Sequence, residues 1–125
     1  MTSKKKTAET AELLKAVLNG ISEKKGQNPA VIDLRKTGNS ISDYYVVCHG
    51  SSNTNVSAIA ESVVDEVRIK TGDKPRHLEG KREAEWILVD FFDVVVHVFQ
   101  EEYWNHYEIE ELWADADIKY IEENS

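Results

Sequence analysis

Three groups of residues in this 125-residue chain could do chemistry. The first is Gly50-Ser51-Ser52-Asn53, which joins a β-branched run to a helix-like segment. A Gly-Ser turn in that place aims backbone N–H groups at an anion from a helix N-terminus. Nucleotidyl transfer uses such a turn, but it also needs two metal-binding carboxylates on one face of a neighbouring strand. No Asp-x-Asp or Asp-x-Glu with flanking apolar residues follows at a suitable place. Asp90 and Asp93 are three apart, so strand alternation would put them on opposite faces. Asp65-Glu66 falls in mid-helix, where it reads as solvated surface. The simpler reading of residues 50–53 is a Ser/Asn-rich helix cap. The second group is Cys48-His49. Adjacent strand residues point to opposite faces, so they form no thiolate–imidazole pair, and Cys48 reads as a small core residue. The third is the set of histidines, His49, His77, His97 and His106, which shows no metal-ligand spacing. His97, inside a valine run, reads as a hydrogen-bonded structural residue. No Gly-x-Ser-x-Gly elbow is present to carry a serine triad. These residues point to no enzyme, no metal and no cofactor.

The remaining signal is association. Trp86, Phe91 and Phe92 bracket an apolar stretch, and Tyr103, Trp104, Tyr107 and Trp113 follow it. Aromatic residues dominate interface hot spots. Any one of them could equally fill the core, but Phe91 and Phe92 lie at a turn, and turns are exposed.

The element that must position these aromatics is Glu85–Phe99, EWILVDFFDVVVHVF. Its β-branched and aromatic residues suit a pleated, buried surface, and it shows no helical stripe. It reads as two antiparallel strands, Glu85–Asp90 and Val94–Phe99, joined by a tight Asp90-Phe91-Phe92-Asp93 turn. Two phenylalanines then occupy positions where turns favour Gly or Asn.

Around this hairpin the pattern predicts an α/β domain. Residues 1–6 read as a frayed basic tail. A helix runs from an N-cap at Thr7 to Lys25, with Leu13, Leu14, Val17, Leu18 and Ile21 as its apolar stripe and Gly26 as its left-handed cap. Gln27-Asn28-Pro29 breaks the chain before a short strand, Ala30–Leu34. A loop over residues 35–42 leads to a second strand, Asp43–Cys48. A helix over residues 54–70 buries Val56, Ile59, Ala60, Val63 and Val67 and stops at Gly72. Arg76–Gly80 reads as a short edge strand, and Glu101–Trp113 as a third helix. Asp115–Ser125 reads as a last short helix or a loose tail. This order predicts a mixed sheet with helices packed on it, in one domain.

Composition bounds the rest. One cysteine allows no internal disulfide and fits a reducing compartment. No apolar run reaches the roughly 18 residues of a membrane span. The N-terminus has no secretory pattern. The net charge is −8, and Glu101–Ser125, with nine acids against Lys119, accounts for all of it. Such a surface repels nucleic-acid phosphates and favours a basic protein partner, though acidity also simply serves solubility.

The ordered set of segments resembles a known family. Asp43-Tyr44-Tyr45-Val46-Val47, Gly50-Ser51-Ser52-Asn53, Glu79-Gly80, Ala84–Asp90, Asp93–Phe99 and Tyr107–Trp113 together look like the ribosomal silencing factor family, RsfS or Iojap. The resemblance covers roughly residues 13–116. It implies a nucleotidyltransferase-like fold without catalytic residues. It implies a cytoplasmic homodimer that binds the large ribosomal subunit through its ribosomal protein number fourteen. That contact would sterically block subunit joining and repress translation in nutrient shortage. The alternatives are a large-subunit assembly factor acting through the same surface and a divergent nucleotidyltransferase using Gly50-Ser51. The family's tryptophan matches Trp86, the first partner-contact residue to carry over, and Asp90, Phe91, Phe92 and Asp93 match its Asp-aromatic-Gly-Asp turn. Here Phe92 stands in place of the glycine. Trp104 stands where relatives carry an arginine.

Overall fold

The computed structural model describes residues 3–36, 42–103 and 116–121. Its elements are α1 (Ser3–Glu23), β1 (Gln27–Asp33), β2 (Tyr44–Gly50), α2 (Asn53–Thr71), β3 (His77–Glu79), β4 (Trp86–Asp90), β5 (Val94–Gln100) and β6 (Asp117–Tyr120). The strands form one mixed sheet in the order β3-β4-β5-β2-β1-β6. β2 and β5 are parallel and every other neighbouring pair is antiparallel. A parallel pair needs a long connection, and here α2, β3 and β4 supply it.

Both helices pack on one face of the sheet. Leu13, Ala16, Val17 and Ile21 of α1 meet Val56, Ile59, Ala60, Val63 and Val67 of α2 over Val46, Cys48, Ile87, Val89, Val94, Val96 and Val98. The stripe expected of α2 is therefore its buried face, residue for residue. Burying a Val or Ile side chain is worth roughly 1.5–3 kcal/mol, so this layer carries much of the folding free energy. The other face, nearer β1, buries Ala30, Ile32, Leu34, Val47 and Phe99 against Tyr45, Tyr103, Ala116 and Ile118. β5 is buried on both faces, which explains its unbroken apolar reading.

The helices approach closely at Gly20. A Cβ there would lie 2.7 Å from Val63 Cα, and the Ser62 hydroxyl donates to the Gly20 carbonyl at 2.8 Å. Gly20→Ala is expected to push the helices apart and destabilise the protein by about 1–3 kcal/mol. Denaturant unfolding measures this directly, and an unchanged midpoint would contradict the close packing.

Several boundaries differ from the sequence reading. α1 begins at Ser3, so residues 3–6 belong to a helix rather than a tail and Thr7 lies inside it. The left-handed residue after α1 is Lys25 (φ 58°), not Gly26. Lys25 N–H donates to the Ser22 carbonyl and Gly26 N–H to the Ile21 carbonyl, the paired bonds of a Schellman cap. β1 starts at Gln27 rather than Ala30: the pairing with β2 is irregular between Gln27 and Ala30, and Asn28 has a φ of 49°. Pro29, which cannot donate to a ladder, is tolerated at such an irregularity, and its carbonyl accepts from Ile121 N–H. The largest difference is β6. Asp117–Tyr120, read as helix or loose tail, pairs antiparallel with β1 because β1 would otherwise leave an open edge. The expected third helix is helical over residues 101–103. Its remainder, with Trp104, His106, Tyr107 and Trp113, lies outside the described residues, as does the loop at residues 37–41.

Candidate functional site

The turn at Gly50-Ser51-Ser52 is a satisfied helix cap. Ser52 is the N-cap of α2, and its hydroxyl accepts from Asn55 N–H at 3.1 Å. Asn55 Oδ1 in turn accepts from Ser51 N–H at 3.0 Å. Two of the N–H donors at this turn, those of Ser51 and Asn55, are thus taken by the chain's own side chains. Cys48 packs in the helix-side core while His49 points to the opposite face, with Asn28 Nδ2 at 2.8 Å from its Nε2. Burial pushes the Cys48 thiol pKa far up, which keeps it an unreactive neutral thiol. Among the described residues no three His, Cys, Asp or Glu side chains converge as a metal site.

The aromatic residues meet on the sheet face away from the helices, near β3 and β4. Ile87 and Val89 point into the helix-side core, so Trp86, Leu88 and Asp90 project from the other face. The register sets their neighbours. Trp86 lies opposite Phe99, Leu88 opposite His97 and Asp90 opposite Val95. On the outer side His77 faces Asp90, and Glu79 faces Leu88. The result is an apolar strip, Trp86 and Leu88, flanked by the carboxylates of Glu79 and Asp90.

Trp86 is 37% exposed, yet its position is fixed. Its ring centroid is 4.8 Å from that of Phe99, and its indole N–H donates to His97 Nδ1 at 3.0 Å. His97 is buried and stands 4.7 Å from the Tyr45 ring, centroid to centroid. Burial depresses its pKa to about 4, only partly opposed by the Asp90 charge. The ring is therefore neutral at physiological pH, with Nδ1 as acceptor and the proton on Nε2. Beneath the strand, Gly80 (φ 86°) makes room for the tryptophan's backbone: a Cβ at Gly80 would lie 2.1 Å from the Trp86 carbonyl oxygen. Sequence reading singled out Trp86 but not Leu88, Tyr45 or Gly80 as its supports. The hairpin register, counted back from the turn, could have paired Trp86 with the Phe99 and His97 side of β5.

The turn splits its two phenylalanines. Phe91 is 8% exposed and joins the helix-side core, so it offers almost no surface. Phe92 is 46% exposed and holds a φ of 79°. Asp93 N–H donates to the Phe91 carbonyl at 3.2 Å across it, a γ-turn contact that is strained for a residue with a side chain. Four bonds hold the conformation. Asp90 Oδ1 accepts from Phe92 N–H at 2.8 Å, the Ser42 hydroxyl donates to the Phe92 carbonyl at 2.7 Å, and the Asp93 carbonyl accepts from Asp43 N–H and Tyr44 N–H at 2.9 and 3.0 Å. The positive φ is one glycine adopts without cost, which accounts for a glycine fitting this place in the related pattern. Asp90 Oδ2 also accepts from Arg76 Nε at 3.2 Å, and the Arg76 guanidinium lies 4.5 Å above the Phe92 ring. Of the five expected contact residues, Trp86, Asp90 and Phe92 thus reach the surface, Asp93 closes the turn through its backbone, and Phe91 is turned inward.

Comparison with known proteins gives a consistent match. A family model described as "Ribosomal silencing factor during starvation" matches residues 7–125. A Halalkalibacterium halodurans protein named ribosomal silencing factor RsfS is 40% identical over 106 residues, 84% of this chain and 88% of that protein. A crystal structure of a Chromobacterium violaceum protein superposes with a TM-score of 0.77 at 34% identity, covering 83% of this chain and 85% of the other. A mouse protein named mitochondrial assembly of ribosomal large subunit protein 1 is 32% identical over 74 residues, which is 58% of this chain and 32% of that protein.

Proposed function

Because the chain belongs to the ribosomal silencing factor family, we propose that it represses translation by docking on the large ribosomal subunit and blocking the small one. The docking face is the Trp86–Leu88 strip with Asp90 and Phe92, and its partner is the basic ribosomal protein number fourteen of the large subunit. The observation that carries this reading is Trp86: a large aromatic ring, over a third exposed, with its rotamer pinned by Phe99 and His97. A pre-set aromatic loses little entropy on binding, which is what a hot spot requires. The net charge of −8 complements a basic partner. The mechanism is steric and uses no cofactor or metal. The chain works as one domain, as a homodimer, in the cytoplasm.

Subunit joining tests the reading. Adding the protein to large subunits before small subunits is expected to lower the yield of joined ribosomes in a sucrose gradient, with the protein migrating in the large-subunit fraction. Full joining at saturating protein would refute it. The association rate is expected to fall as salt rises, since opposite charges steer encounter over a Debye length of about 10 Å at 0.1 M. A rate independent of ionic strength, measured by stopped flow, would remove the charge component. The mouse relative's name favours a second reading, assembly of the large subunit through the same face. Accumulation of immature large-subunit precursors in cells lacking the protein would support it.

A further inference from the structure

The strained turn carries an inference that rests on the docking role proposed above. Backbone strain is retained where something depends on it. Phe92 holds its left-handed backbone by donating its N–H to Asp90 Oδ1 and accepting at its carbonyl from the Ser42 hydroxyl, and the outcome is a ring beneath the Arg76 guanidinium at 4.5 Å. Asp90 fixes the same guanidinium from the side through Nε at 3.2 Å. Arg76 is nevertheless half exposed, and among the described residues its two terminal nitrogens make no hydrogen bond. A carboxylate and an aromatic ring thus hold a planar fork rigidly, with its free N–H edge toward solvent. That geometry matches a planar oxyanion, which it can bind through two parallel bonds.

We infer that Arg76, held by Phe92 and Asp90, is a specificity residue of the docking face that pairs with one carboxylate of the partner protein. Asp90 already neutralises part of the fork, and the chain as a whole carries a net charge of −8. Such a setting repels the closely spaced charges of a phosphate backbone but admits a single side-chain carboxylate. Phe92 acts here as a positioning residue. Trp86 supplies affinity, and Arg76 decides which basic surface is accepted by requiring an acidic group at one fixed distance from the tryptophan pocket.

The test measures affinity of the full chain for purified large subunits and, separately, for their protein-free RNA. Arg76→Gln is expected to weaken subunit binding about 10- to 100-fold, the effect of losing a charge-assisted bidentate contact. Arg76→Lys keeps the charge but not the fork, and is expected to recover less than half of that loss on a logarithmic scale. Phe92→Gly is expected to weaken binding several-fold alone and to add nothing in the Arg76→Gln background. A merely structural role of Phe92 would give additive effects and a shifted unfolding midpoint instead. Binding by Arg76→Gln within twofold of wild type overturns the inference, and if Trp86→Ala is still defective the docking reading stands without it. Wild-type binding by both variants removes both. Arg76-dependent binding to the protein-free RNA overturns the assignment of a protein carboxylate.

Discussion

Replacing Trp86 with alanine is expected to abolish co-sedimentation with large ribosomal subunits while leaving a folded protein. The indole is the largest exposed group on the proposed docking strip. Truncating a central aromatic anchor costs about 2–4 kcal/mol of binding, roughly 30- to 1000-fold in affinity. The folded state also loses the contact with Phe99 and the hydrogen bond to His97 Nδ1. Because the ring is already partly in water, that loss is expected to stay near 1–3 kcal/mol. Trp86→Phe separates the two functions of the side chain. It keeps a ring over Phe99 but removes the N–H donor, so it is expected to fall between wild type and alanine. Co-sedimentation of Trp86→Ala at wild-type levels, with an intact thermal transition, would sink the assignment of the docking face.

Acidification is expected to destabilise the protein through His97. The group has a folded pKa of about 4, against 6.5 for a histidine in water. Between these values the unfolded chain binds a proton that the folded chain refuses. The stabilisation is complete above pH 6.5, declines as pH falls toward 4, and levels off below 4, where both states are protonated. A difference of this size corresponds to about 3 kcal/mol. The physical cause is burial: the ring is packed beneath Trp86 and Tyr45 and is almost wholly removed from solvent. Protonating Nδ1 would also set two N–H groups against each other at the indole, so loss of the Trp86 rotamer is expected with loss of stability. Denaturant unfolding at several pH values checks this, using tryptophan fluorescence as the probe. His97→Gln is expected to be less stable at pH 7 and to show a shallower dependence on pH between 6.5 and 4. Equal slopes in the two proteins would refute the assignment.

Both predictions depend on a hairpin that was visible in the residues. The β-branched runs on either side of Asp90-Phe91-Phe92-Asp93 were enough to predict two antiparallel strands, because strand propensity and alternation are local properties. The buried face of α2 was legible for the same reason: Val56, Ile59, Ala60, Val63 and Val67 recur at helical spacing, and Gly72 takes the left-handed cap. The absence of a paired-carboxylate pattern beside Gly50-Ser51 was equally local, and so was a Ser/Asn-rich helix cap at residues 50–53.

What lay beyond the sequence was decided by contacts between distant segments. Asp117–Tyr120 has little strand character of its own and becomes β6 because an open edge of β1, over 80 residues earlier in the chain, satisfies its backbone. Phe91 and Phe92 are neighbours of identical chemistry, and only the course of the turn sends one into the core and the other over Arg76. Trp86 was recognisable from its type as a candidate contact residue. Its readiness to act was not, since that comes from register: β5 brings Phe99 and His97 beneath it, and Gly80 admits its backbone. Periodicity reports which residues share a face, whereas register, edge pairing and turn geometry are settled by the free energy of the assembled sheet.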